Sequence, residues 1–328
     1  MRIPTPLQAL SAAAAITLLA GCSGGSSQVV PLAGGNGTTG HSVFRQLANS
    51  QSGHQTKSWM TPPNMLARLT YVGDLLANDV TVFSRSGAVQ GQIGGLNNPG
   101  GIFVDPNRSL WVANSGANTV LKFKRGAILP SKTLNDPGGG PNDVTICPNG
   151  TVYVSGFGST SIEVYASGST NPTGTLSYPG ELQNDFLTCD AAGNVFATIV
   201  DGSFHGGVVE FPGGNQSGAT QLPISLQGPG GIKQDNAGNL LITDQSVQTI
   251  TEYTEAGSPT GNSIHTGFDC LDLGVSRDGR VVGCALYVSG GTSEGQSYTF
   301  PAGAIHRTYS GSFMLPYGFG FDPDSKGL

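Results

Sequence analysis

The sequence is poor in charge. Charged side chains make up 11% of its 328 residues, against about 25% in ordinary soluble domains. The net charge is −6, so no basic field for nucleic acid is present. Two Trp and nine Tyr are scattered and form no base-stacking platform. No Asp or Glu occurs before Asp74. No apolar run reaches the ~20 residues that a membrane-spanning helix needs. Histidine is scarce, at five residues, and His41 and His54 lie in a polar N-terminal stretch. There is no His-x-x-x-His pair and no His paired with Glu, so the common zinc-protease signature is excluded. Glutamate is nearly as rare. Glu163, Glu210 and Glu252 sit one or two residues before Tyr165, Phe211 and Tyr253, in matching strands expected to lie far from any central axis.

Glycine and proline are plentiful, at 51 and 20 residues, while 37% of the chain is hydrophobic. The apolar residues occur in short regular runs. That combination suits many short strands joined by tight turns rather than disorder.

The N-terminus reads as an address. Leu7 to Ala20 is apolar but short, and Gln8, Ser11 and Thr17 interrupt it. It is a signal h-region and not a span. It ends in Leu19-Ala20-Gly21-Cys22, followed by Ser23-Gly24-Gly25-Ser26-Ser27. This resembles the bacterial lipobox, which implies lipidation of Cys22 and anchoring of the mature chain to a membrane of the cell envelope. Two or more acyl chains make such anchoring stable. Ser23 after the lipidated Cys implies outer-membrane sorting in a Gram-negative host. Residues 1–21 are thus expected to be the signal peptide. Residues 22–66, rich in Gly, Ser, Thr, Asn and Gln, are expected to be a flexible tether, because they bury too little apolar surface to offset ordering entropy.

From Leu69 the chain repeats with a period in the low forties. Tyr71 to Phe83 aligns with Trp111 to Phe123 without a gap, and Val72, Ala77, Asn78, Val80 and Phe83 recur as Val112, Ala117, Asn118, Val120 and Phe123. Tyr153 to Tyr165 and Leu241 to Tyr253 are further copies. A second element precedes each copy: a short apolar run ending in a turn. Six such elements put Asp105, Cys147, Asp190, Asp235, Ser276 and Asp322 at one position. Asp-x-x-Gly between alternating apolar runs is a β-hairpin turn. The last element has no partner strands after it, and the first copy has no such element before it. The reading is an all-β fold over residues 67–328: a six-bladed β-propeller closed by strands from both termini. Closure removes the open edges that invite aggregation.

The repeats resemble NHL-type six-bladed propellers. Pro99-Gly-Gly-Ile-Phe-Val-Asp105 with Trp111-Val-Ala-Asn114 carries the likeness, as does Pro229-Gly-Gly-Ile-Lys-Gln-Asp235 with Ile242-Thr-Asp244. The resemblance implies the fold and leaves activity open, because this propeller type hosts binding modules and enzymes alike.

Five Cys occur. With Cys22 lipidated, four remain, an even number in an exported chain. Three pairings exist on paper. Cys147 ends one inner strand and Cys189 lies at or beside the equivalent place in the next blade, and Cys270 and Cys284 flank a hairpin, so Cys147–Cys189 and Cys270–Cys284 are favoured over four reduced thiols.

The candidate ligand or metal site is the rim where the inner strands begin. Asn142, Asp143, Asp185, Asp272 and Tyr317 are expected there, converging oxygens from several blades on one mouth. Such a set suits Ca²⁺, the one cofactor considered. Six-bladed lactonases of the senescence-marker/gluconolactonase type hold a divalent cation near such a mouth. Similarity to them implies a metal-dependent lactonase or hydrolase as the alternative to a binding or scaffold module. The competing structural reading makes these Asp and Asn turn caps that accept backbone N–H groups. With no nucleophile–base pair, binding of a protein or small-molecule ligand by an expected monomer ranks first, and no catalytic residue is assigned.

Overall fold

Each alternating apolar run in the repeat forms one strand, and each turn signal reverses the chain. Among the described residues the strands make six antiparallel sheets, one per blade. The computed structural model describes residues 57–61, 68–203, 205–287 and 293–322. Cys22, the signal segment and most of the expected tether lie outside them. No helix among the described residues is long and apolar enough to cross a membrane.

Blade two runs outward from Pro99–Val104 through Leu110–Asn114 and Thr119–Phe123 to Lys132–Asn135. Blades three, four, five and six repeat the pattern from inner strands Pro141–Ile146, Glu181–Cys189, Pro229–Gln234 and Asp269–Val275. Blade one takes its inner strand, Pro316–Phe321, from the C-terminal end. Its next three strands, Leu69–Asp74, Asp79–Ser84 and Val89–Ile93, come from the N-terminal part. Thr70 pairs with Phe321 and Val72 with Phe319 across that junction. Neighbouring inner strands touch around a complete circuit, including Pro316–Phe321 against Pro99–Val104. The expected closure from both ends of the chain is therefore present.

One boundary differs. Trp59 and Met60, assigned to the tether from composition, form a short strand on the outer edge of blade one, opposite Gln92 and Gly91. Met60 is apolar and packs against the core of that blade, which favours pairing over solvation.

The inner strands all run the same way, so the ring has two distinct faces. They begin at the upper face and end at the lower. Asp105, Cys147, Asp190, Asp235, Ser276 and Asp322 each follow directly on an inner strand and mark the lower face. Their acidic side chains close the turns. Asp105 Oδ1 accepts the Ser109 N–H at 2.8 Å, and Asp190 and Asp235 accept those of Asn194 and Asn239 at 2.8 Å each.

Both expected disulfides form. Cys147–Cys189 ties the lower ends of the inner strands of blades three and four, with Cα atoms 5.3 Å apart. Cys270–Cys284 joins the first two strands of blade six, with Cα atoms 5.4 Å apart. Both separations are ordinary for a bridge.

Candidate functional site at the propeller axis

The strand register decides which side chains reach the axis. Asp143 stands opposite Ser155 in blade three, one residue before Val144. In blade six Leu273 stands opposite Cys284, so Asp272 holds the same register position as Asp143. Blades three and six are three steps apart in a ring of six. The two carboxylates therefore approach from opposite sides.

Lys233 lies between them. It comes from blade five, opposite Leu241. Its Nζ is 3.4 Å from Asp143 Oδ2 and 3.6 Å from Asp272 Oδ1, and it donates to Leu187 O at 3.3 Å. Backbone donors meet three of the four carboxylate oxygens, and Asp143 Oδ1 is buried without a hydrogen-bond partner. Asp143 Oδ2 accepts the Leu187 N–H at 2.9 Å. Asp272 Oδ2 accepts those of Phe319, at 3.1 Å, and Ile102, at 3.4 Å. Oδ1 of Asp272 accepts from its neighbour Leu273 at 2.7 Å. Asp272 thus ties blade six to blades one and two, and Asp143 ties blade three to blade four.

A second layer lies beside the first. Tyr317 of blade one donates to Asn142 Oδ1 at 2.7 Å, and Asn142 Nδ2 donates to Asp185 O at 2.7 Å. Ser155 donates to the same carbonyl at 2.5 Å. The Tyr317 ring stacks on Phe186, with centroids 5.7 Å apart, and tilts against Phe157.

All five expected residues are thus gathered at the axis, but not as an open mouth. Asn142, Asp143, Asp272 and Tyr317 are fully buried, and Asp185 is 1% exposed. The inner strands pack too closely to leave a mouth at that level. Gly101 shows how closely: a Cβ there would overlap Asp143 Oδ1. The Ca²⁺ expectation is corrected on the same geometry. The position between the two carboxylates is held by an ammonium group, and three of their four oxygens are engaged by Lys233 or backbone N–H donors. A calcium shell of six to eight oxygens does not fit this set. Among the described residues no group of three or more His, Cys, Asp or Glu is arranged to hold a metal.

Burial sets the electrostatics. Removal from water pushes Asp143 above the ordinary carboxylate range, opposed by the Lys233 ammonium. The same burial, with Asp143 adding to it, carries Asp272 up to about 7. For Lys233, burial works against the charge, but the two aspartates outweigh it and hold the ammonium above its usual value. Two ionised carboxylates and one ammonium would leave a net negative charge in an apolar shell.

Composition and motif reading missed Lys233. Its signal was present: one Lys in an inner-strand run, Gly231-Ile-Lys-Gln-Asp235, with no other Lys or Arg from residue 133 to residue 276. Below the ion pair the channel widens into a cavity of about 220 Å³ toward the lower face, lined among others by Ile102, Val104, Thr188, Lys233, Val275 and Phe319.

No family model matches the chain, and no curated protein matches it in sequence. Solved structures share the fold. A chain of a nidogen/laminin complex is similar at 11% identity and TM-score 0.63, over 78% of this chain and 98% of that one. Virginiamycin B lyase from Staphylococcus aureus is similar at 13% identity and TM-score 0.54, over 81% and 95%. Regucalcin from Agrobacterium tumefaciens, a calcium-binding protein, is similar at 12% identity and TM-score 0.53, over 68% and 77%. At these identities the likeness concerns the fold.

Proposed function

We propose that the chain is a membrane-anchored, extracytoplasmic binding propeller whose upper face meets its ligand. The observation that carries this reading is the sealed axis. The polar residues that a channel-mouth hydrolase would present to substrate are used here between blades. Recognition then falls to the exposed loops around the seal. At the upper face the loops and strand starts carry solvent-exposed Leu182, Val247, Phe268 and Met314. Apolar anchors of this kind, presented on a rigid ring, can seat a partner.

The anchor rests on the lipobox-like Leu19-Ala20-Gly21-Cys22. The two disulfides fit an oxidising compartment. Cys22→Ser should release the protein from membranes after a high-salt wash, and retention would overturn the anchor. For the binding role, a photo-crosslinking residue placed at Phe268 or Met314 in living cells should give discrete adducts. Phe268→Asp should abolish the adduct formed from position 314. Cation-dependent lactone hydrolysis that Asp143→Asn abolishes would overturn the reading in favour of an enzyme.

A further inference from the structure

Charge is divided between the two halves of the ring. Residues 133–276, which build blades three to five and the inner strand of blade six, hold fourteen Asp and Glu against a single cation, the buried Lys233. Residues 57–132 and 277–322 hold eleven Lys and Arg against six Asp and Glu. The first half carries a net charge of −13 and the second +5. In sequence the two basic stretches stand far apart. Ring closure makes blades six, one and two neighbours and joins them.

The basic half is also one-sided. Arg68 precedes the second strand of blade one at its lower end. Arg85 lies in the lower turn of blade one, Arg108, Lys124 and Arg125 in those of blade two, and Arg277 and Arg280 in that of blade six. Arg108 and Arg125 are engaged by Asp322. The lower turns of blades three, four and five hold no Lys or Arg. Among the basic turns stand exposed apolar side chains: Leu129, Ile305 and Val89, at 74%, 61% and 46% exposure. Between blades six and one the same face opens a cleft of about 130 Å³, lined by Arg68, Arg85, Arg277 and His306 together with the carboxylates Asp278 and Asp322.

We infer that the lower face of blades six, one and two docks on an anionic bilayer surface, with a lipid phosphate headgroup in the Arg68–Arg85–Arg277 cleft. Guanidinium groups match phosphate oxygens in planar, two-point geometry. Interspersed apolar side chains suit the boundary between headgroups and acyl chains. The stretch from residue 23 to residue 67 contains no acidic residue. The opposite, acidic half is repelled by the same surface, which orients the ring. The upper face is then presented away from the membrane. The inference deepens the anchored-module reading, and it stands on the propeller's own surface rather than on the lipid.

The test uses the full-length Cys22→Ser protein, so that no acyl chain contributes. Co-sedimentation with phosphatidylcholine vesicles containing phosphatidylglycerol should be clear, should be absent with phosphatidylcholine alone, and should fall steeply with salt. Arg68→Gln, Arg85→Gln and Arg277→Gln should each lower partitioning roughly five-fold, as expected for about 1 kcal/mol per cation at a membrane surface. Arg277→Lys should retain most of it, and Asp201→Asn on the upper face should leave it unchanged. Equal binding to both vesicle types, no binding to either, or insensitivity to the three arginines would overturn the inference. Displacement by inorganic phosphate, where chloride of equal ionic strength has no effect, would assign the cleft to a soluble phosphate and overturn the membrane assignment. A wild-type chain found without lipid at Cys22 would remove the anchor and leave the vesicle result standing. Failed vesicle binding beside an intact lipid would remove this inference alone.

Discussion

Asp143 and Asp272 hold the same register position in blades on opposite sides of the ring, and one ammonium, that of Lys233, lies 3.4 Å from the first and 3.6 Å from the second. This triad closes the axis. With the backbone donors of Leu187, Phe319 and Ile102 it touches all six blades, so its removal should be felt by the whole domain.

Lys233→Met leaves two buried carboxylates without their cation. Breaking a buried pair in this way costs about 3–5 kcal/mol. The triple variant Lys233→Met, Asp143→Asn, Asp272→Asn should recover much of that loss, because no unpaired charge remains. Chemical denaturation of the three proteins checks this. A Lys233→Met variant as stable as the wild type would show that the triad does not tie the ring.

Stability should fall as pH rises from about 4 to about 7. Burial pushes Asp272, Asp79 and Glu181 up to about 7 and Asp136 up to about 6. Neighbouring Asp143, Asp74 and Glu163 add to the effect at Asp272, Asp79 and Asp136 respectively. A carboxyl with a raised folded pKa binds a proton on folding between its unfolded and folded values. Its contribution is fully favourable below the unfolded value and is lost as pH climbs through the folded one. Asp201, Asp278 and Glu252 shift the opposite way and offset part of this fall. Glu181→Gln should flatten the melting temperature against pH, and an unchanged slope would count against the assignment.

Millimolar Ca²⁺, Mg²⁺, Mn²⁺ or Zn²⁺ should leave the melting curve unmoved. A site filled at a hundredfold excess over Kd would add about 2.7 kcal/mol. The Lys233 ammonium already occupies the place between the carboxylates, so no such gain is expected. A chelator-reversible shift that Asp143→Ala abolishes would reverse this conclusion.

The two disulfides should contribute unequally. Cys147–Cys189 closes 42 residues and Cys270–Cys284 closes 14. Loop-closure entropy gives about 4 and about 3 kcal/mol respectively. Paired Cys→Ala variants, melted separately, measure the difference.

Ring closure is held by Phe319, which is fully buried and meets Tyr309 and Phe321 edge-on, at 5.7 and 5.1 Å between centroids. Phe319→Ala should cost about 3–5 kcal/mol. Gly283→Ala should also destabilise, because its Cβ would overlap the Phe319 ring. Deleting residues 318–328 should unfold the domain cooperatively rather than fray its end, and calorimetry distinguishes the two.

What was legible in the sequence is what depends on near neighbours. Strand alternation, the Asp105-type turns and the repeat spacing are set by interactions within about ten residues. They suffice for six blades, for the shared terminal blade and for both cysteine pairs. The axial residues Asn142, Asp143, Asp185, Asp272 and Tyr317 could also be singled out, because they occupy matching places at the strand starts. Their state could not. Whether Asp143 and Asp272 meet water, a cation or a lysine depends on how closely six inner strands pack and on which blade stands opposite which. Those distances exist only once the ring has closed. Lys233 is ninety residues from Asp143 and Asp272 lies beyond both, so no local pattern pairs them. The division of charge follows the same rule. Two basic stretches from opposite ends of the propeller sequence become one surface because the last strand completes the first blade; the repeats foretell that shared blade, but which charged turns then stand side by side on one face is decided by the tertiary structure.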